Sequence, residues 1–127
     1  MTYLLDTSTF VWAATQPAKL SRRARRICES PREQLVVSVV SLWELVVKCG
    51  TGALRIASPD RTLPDWAAQL RARVLPVEAA HAYAVHALPP IHRDPFDRLL
   101  VAQAMAEDLP LLTSDERIRQ YPARCVW

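Results

Sequence analysis

Short apolar runs alternate with helical periodicities along the chain. Tyr3 to Leu5 read as a brief buried strand ending at Asp6, and Thr9 to Thr15 as a helix capped by Thr7 or Ser8. Ser21 to Ser30 carry a second helical pattern, SRRARRICES, opened by a good N-cap residue. Leu35 to Val39 are rich in β-formers and predict a buried strand. Ser41 then opens a helix with a capping-box pattern, Ser41-x-x-Glu44, which runs to Cys49 and stops at Gly50. Residues 51–62 read as loop, and Leu63 to Arg73 as a helix with Pro64 in its first turn. Val74 to Val77 predict a short strand and Ala79 to Leu88 an alanine-rich helix. After Pro89 and Pro90, the segment Asp94-Pro95-Phe96-Asp97 starts a helix that runs through Asp108: cap, proline at the first position, acid at the third. Pro110 to Thr113 form another apolar strand, Ser114 caps a last short helix, and Cys125 to Trp127 add an edge strand.

Apolar strands alternating with helices imply parallel βαβ units. The expected fold is α/β: one three-layer α/β/α domain over residues 1–127, with a central parallel sheet. Ligands of such sheets bind beyond the carboxyl ends of the strands. A helix that follows a strand starts on that same edge.

Four carboxylates fall there. Asp6, Glu44, Asp97 and Asp115 each sit where an apolar segment begins or ends: YLLDTS, SLWELVV, DPFDRLL and LLTSDE. Acids are seldom buried unless something pairs with them. Two carboxylates ~4 Å apart repel by ~4 kcal/mol at an effective dielectric of about 20. A helix N-terminus returns only ~0.3–1 kcal/mol. The cluster therefore takes up protons or binds a cation, and oxygen-only ligands favour Mg²⁺ or Mn²⁺ over zinc. The chemistry that follows is metal-assisted phosphodiester hydrolysis.

Each acid also has a plainer reading. Glu44 can close its capping box or pair with Lys48, and Asp97 can serve the helix dipole. Asp94 fits a cap better than a ligand. Asp6 has no cap role if Ser8 caps, and Glu116 competes with Asp115. His81, His86 and His92 lack any metal-ligand spacing and read as structural or surface residues. Arg22, Arg23, Arg25 and Arg26 form either a phosphate-tracking row or a solvated helix face. Arg93 and Arg98, beside the DPFD segment, are further candidates for substrate contact.

Charge adds one point. The net charge is +3, and with the four acids neutralised 16 bases would face 9 acids, a field suited to a polyanion. Three cysteines without CxxC spacing read as reduced thiols of a cytoplasmic protein. The N-terminus lacks a basic region before its apolar run, and no apolar stretch is long enough to span a membrane.

Three segments, LLDTSTFVW, SVVSLWELVVKCGTGAL and IHRDPFDRLLVAQAMAEDLPLLTSDERI, resemble PIN-domain ribonucleases of the VapC toxin type. The likeness covers nearly the whole chain, and HRDPFDRLLVAQA is its most specific part. The resemblance implies a PIN-like fold, RNA cleavage with Mg²⁺ or Mn²⁺, and a catalytic and metal-binding quartet at Asp6, Glu44, Asp97 and Asp115. It places Thr113 or Ser114 at a hydroxyl position near the last acid. It also implies a homodimer and a cognate antitoxin covering the active groove. Alternatives fit less well. A receiver-like signalling module wants an acidic pair and a late lysine, yet no lysine follows Lys48. A haloacid-dehalogenase-like phosphatase wants an acid where Ser8 stands. A PIN-type RNA-processing nuclease outside a toxin–antitoxin pair differs only in its genetic neighbourhood.

Overall fold

The computed structural model describes residues 1–127. Five strands are present: β1 (Thr2–Leu5), β2 (Gln34–Ser38), β3 (Arg73–Leu75), β4 (Leu111–Leu112) and β5 (Cys125–Val126). Six α-helices separate or follow them: α1 (Thr7–Thr15), α2 (Arg22–Glu29), α3 (Val39–Gly50), α4 (Pro59–Gln69), α5 (Ala79–Ala84) and α6 (Pro95–Ala106). The sheet order is β3-β2-β1-β4-β5, and every pairing is parallel. The chain steps outward from β1 through β2 to β3, then returns to the other side of β1 as β4. The reversal lies between β1 and β4, where Leu5 pairs with Val37 on one side and Leu112 on the other. A crevice forms outside the carboxyl ends of strands at such a point.

Both faces of the sheet are covered at its centre, which is why Tyr3–Leu5, Leu35–Val37 and Leu111–Leu112 are apolar at successive positions rather than alternating. Tyr3, Leu5, Leu35, Val37 and Leu112 pack with Phe10, Ile27, Leu45 and Leu63 on one face. Leu4, Val36, Leu75 and Leu111 pack with Leu100, Val101 and Ile118 on the other. The three cysteines are free thiols, and burial pushes Cys28 up to about 11. No helix is long and apolar enough to cross a membrane.

Most elements lie where the apolar pattern puts them, but several boundaries differ: Arg73 opens β3 instead of ending α4, Val39 opens α3 instead of ending β2, α5 gives way to a 3₁₀ turn after Ala84, and the segment after β4 forms only a 3₁₀ turn at Ile118–Gln120. Asp6, not Thr7 or Ser8, caps α1, because β1 runs straight into the helix and leaves Asp6 the last extended residue. The capping box at Ser41 is absent. Ser38 ends β2 and itself caps α3, with its Oγ accepting from the Val40 N–H at 3.0 Å. Glu44 is thus the sixth residue of α3, well inside the helix. Helix α4 starts at Pro59, behind a left-handed Ser58 (φ 48°), so Pro64 lies inside it. After β4, Asp115 rather than Ser114 takes the cap role: its Oδ1 accepts from the N–H groups of Arg117 and Ile118.

Candidate metal centre

Asp6 leaves the end of β1 and is 5% exposed. Its Oδ1 accepts from the Thr9 N–H at 2.8 Å, and its Oδ2 accepts from the Thr113 hydroxyl. Burial pushes its carboxyl up, the bonds from Thr113 and Thr9 oppose that, and the charge of Asp115 adds to it. Thr113 also accepts from the Asp115 N–H at 3.0 Å. Asp115 spends Oδ1 on the following turn, while its Oδ2 faces the ring of His92.

Asp97 is the third residue of α6, as its cap-and-proline motif predicts. The side chain of Asp94 caps that helix, accepting from Phe96 and from Asp97 itself. Burial first, and then the charges of Asp94, Glu44, Asp115 and Asp6, push the Asp97 carboxyl up to about 7. Glu44, 4% exposed, reaches in from α3. Its Oε1 accepts from the Thr7 hydroxyl at 2.7 Å, and its Oε2 pairs with Lys48 one turn along the helix. That contact with Glu44 raises the Lys48 ammonium, and Asp94 and Asp97 push in the same direction.

These side chains enclose a cleft of about 250 Å³. Asp6, Glu44, Asp94, Asp97 and Asp115 line it with Thr7, Ser8, Ser114 and Lys48, and no hydrophobic residue takes part. Five carboxyls thus face one ammonium. All the acids offer oxygen, the donor type that suits a hard divalent cation. Burial and then its neighbours' charges hold Asp97 high, and a cation placed among the acids would relieve the repulsion between them. By donor chemistry and charge the residues fit a hard divalent cation.

His92 was not legible as part of this group. Its Nε2 lies 3.0 Å from Asp97 Oδ2 and 3.9 Å from Asp115 Oδ2. Single ligating atoms of His92, Asp97 and Asp115 all fall within 4.8 Å of one another. The Asp94 N–H donates to His92 Nδ1 at 3.1 Å, so that nitrogen's lone pair is occupied. Nε2 therefore carries a proton and donates to Asp97. His92 orients the Asp97 carboxylate rather than offering a lone pair of its own. The sequence holds one weak signal for this, its place two residues before a cap residue. The other two histidines lie elsewhere: His81 is buried against Glu78 and Glu107, and His86 is exposed.

The remaining candidates divide clearly. Thr113 holds Asp6, while Ser8 and Ser114 line the cleft. Glu116 is exposed and outside it. Arg22 and Arg26 are exposed on α2, and Arg25 pairs with Glu29 beside a different cavity. Arg93 is exposed next to the cleft's rim residue Asp94. Arg98 points inward, donating to the carbonyls of Pro89 and Val85 and to the Tyr121 hydroxyl. It braces the loop that carries His92, whose N–H donates to the same hydroxyl.

The PIN domain pattern matches residues 3–124. Ribonuclease VapC22 of Mycobacterium tuberculosis is 31% identical over 125 residues, covering 94% of this chain and 92% of the relative. Among solved structures, VapBC2 from Rickettsia felis, bound to a DNA fragment from its promoter, matches with a TM-score of 0.76 at 18% identity, covering 100% of this chain and 99% of that one. VapBC-5 from Mycobacterium tuberculosis, a member of the VapBC family of toxin–antitoxin systems, matches with a TM-score of 0.57 at 25% identity, covering 94% and 89%.

Proposed function

The chain belongs to the PIN-domain family, and on that premise we propose that it is a Mg²⁺- or Mn²⁺-dependent endoribonuclease, the toxin of a toxin–antitoxin pair. The observation that carries the reading is the convergence of Asp6, Glu44, Asp97 and Asp115 on one all-polar cleft at the switch point of a parallel sheet. The relative at 31% identity is itself named a ribonuclease.

In this reading Asp6, Asp97 and Asp115 hold the ion, with Glu44 at its edge. A bound divalent ion would polarise the phosphoryl oxygen and make its water more acidic. The chain's own groups do the rest. Thr113 and the α1 cap keep both oxygens of Asp6 in place. His92 holds Asp97, and Asp94 holds His92 and the start of α6. Such fixed geometry means that little reorganisation is needed when substrate arrives.

Two partners belong to the same proposal. The solved VapBC neighbours are toxin–antitoxin assemblies, and this chain is taken to have a cognate antitoxin acting in the cytoplasm. The homodimer is assigned to the outer face of α3. There Val39, Trp43, Val46 and Val47 are 39%, 58%, 45% and 36% exposed, an apolar stripe at helical spacing.

Induced expression tests the biological role. Growth arrest with fragmented RNA is expected from the intact protein and not from Asp6→Asn, with relief when the neighbouring small reading frame is co-expressed. Arrest that persists in a folded Asp6→Asn protein contradicts the assignment. RNA cleavage without a neighbouring inhibitor would instead favour an RNA-processing role.

A further inference from the structure

A second depression, of about 440 Å³, adjoins the acidic cleft between α1, α3 and the loop that follows α3. Both are lined by Thr7, Ser8, Glu44 and Lys48, so the two spaces meet along these residues. Their characters differ. The cleft has no hydrophobic lining, whereas the adjoining groove is walled by Val11, Trp12 and Leu54 among others. Trp12 is held in place, with its ring against Trp127 at a centroid distance of 6.2 Å and the Lys19 ammonium 5.9 Å from its centre. Lys48 stands at the seam and is the one cation lining either space. Its side chain is 46% exposed, so it is open to a further contact while it stays paired with the buried Glu44 carboxylate.

A strand whose reacting phosphate lies in the acidic cleft must pass Lys48 to enter the groove. A nucleotide has the same division of character: an anionic phosphate, a polar sugar and a flat base with apolar faces. Single-stranded nucleic acids are commonly held by a cation on the backbone and an aromatic or apolar platform under the base. The groove's volume falls within the range of small-ligand sites. We propose that this groove seats the base of a nucleotide flanking the scissile phosphate of single-stranded RNA, with Lys48 contacting the intervening backbone. The assignment rests on the ribonuclease reading and adds the residues that choose among substrates.

Three variants test it: Lys48→Gln, Lys48→Arg and Ala53→Trp. Ala53 is an exposed groove residue, so a larger side chain there narrows the groove without entering the core. Folding is checked by circular dichroism and melting. Binding of RNA oligonucleotides is measured in an Asp97→Asn background, and cleavage with Mn²⁺ in the otherwise intact protein. Lys48→Gln is expected to make the plot of log affinity against log salt shallower by about 0.7, the value for one single-strand phosphate contact, and Lys48→Arg to restore it. Ala53→Trp is expected to raise KM about tenfold, as loss of one stacked base would, and to change the preferred base beside the cut more than it changes kcat. Folded variants with an unaltered salt slope and base preference overturn the assignment while leaving the ribonuclease reading intact. So does loss of antitoxin inhibition with RNA cleavage unchanged, which would make the groove a protein-docking surface. Absence of cleavage by the unsubstituted protein overturns the ribonuclease reading itself, and this inference with it.

Discussion

The Thr113 hydroxyl donates to Asp6 Oδ2, joining the ends of two adjacent parallel strands from positions 107 residues apart. Thr113 Oγ1 in turn accepts from the Asp115 N–H, so one small side chain positions two acids. Thr113 is fully buried. Thr113→Val removes the donor and leaves a buried carboxylate oxygen without its partner, which costs about 1–3 kcal/mol. Denaturant unfolding should show that loss, and Thr113→Ser should recover most of it.

Asp6 serves two purposes that substitution can separate. It caps α1 through Oδ1 and faces the cleft as a carboxylate. Asp6→Asn keeps a good cap, so its folding stability should stay near that of the parent while RNA cleavage is lost. Asp6→Ala should lose activity as well and about 1 kcal/mol of stability, the usual cost of removing a cap. Equal melting temperatures for the two variants would contradict the cap assignment.

The titration of Asp97 gives a pH dependence with a definite sign. Its carboxyl rises from 3.8 in the unfolded chain to about 7 in the fold. The folded protein therefore keeps a proton that the unfolded chain releases between those values. That contribution to stability is present below 3.8 and is lost as pH rises through about 7. The metal-free protein should melt lower at about pH 8 than at about pH 5.5, in the direction that proton linkage requires. Asp97→Asn should flatten the profile and raise stability at the upper pH by about 1–2 kcal/mol. A profile that is unchanged in Asp97→Asn would sink this account of the carboxyl.

Divalent cations should stabilise the fold by mass action. Mg²⁺ or Mn²⁺ at 100 times its dissociation constant should add about 2.7 kcal/mol. Thermal shifts measured across a metal titration should be largest near pH 8, where the acids compete least with protons, and much reduced in Asp97→Asn.

The exposed stripe on α3 predicts the oligomeric state. Trp43, more than half exposed, lies edge-on to Phe96 at 5.0 Å, so α3 and the start of α6 present one continuous surface. Light scattering should report a dimer for the parent and a monomer for Trp43→Glu.

Much of this arrangement was legible because apolar period and cap chemistry act locally. The strand ending at Asp6 and the helix opening at Asp94-Pro95 follow from short-range rules, and the parallel sheet follows from their alternation. Local rules fail where tertiary context chooses the boundary. Ser41 and Glu44 have the form of a capping box, but Ser38 occupies the end of β2 and its hydroxyl is bonded to Gln103 of α6, so the helix starts earlier. Asp6 caps α1 in place of Ser8 because no loop separates strand from helix. His92 depends on three contacts, with Tyr121, Asp94 and Asp97, two of them within five residues and one from a distant turn. No spacing rule expresses that combination. Arg98 reads as a substrate contact by its position beside the acids, yet its guanidinium turns to backbone carbonyls and the Tyr121 hydroxyl.

Cleavage of single-stranded RNA by purified protein tests the central claim most directly. The account predicts cutting with Mn²⁺ or Mg²⁺, none with EDTA, recovery when metal is returned, and none by a folded Asp97→Asn protein under any of these conditions. Cleavage that continues in EDTA, or at the parent rate in folded Asp97→Asn, would contradict it.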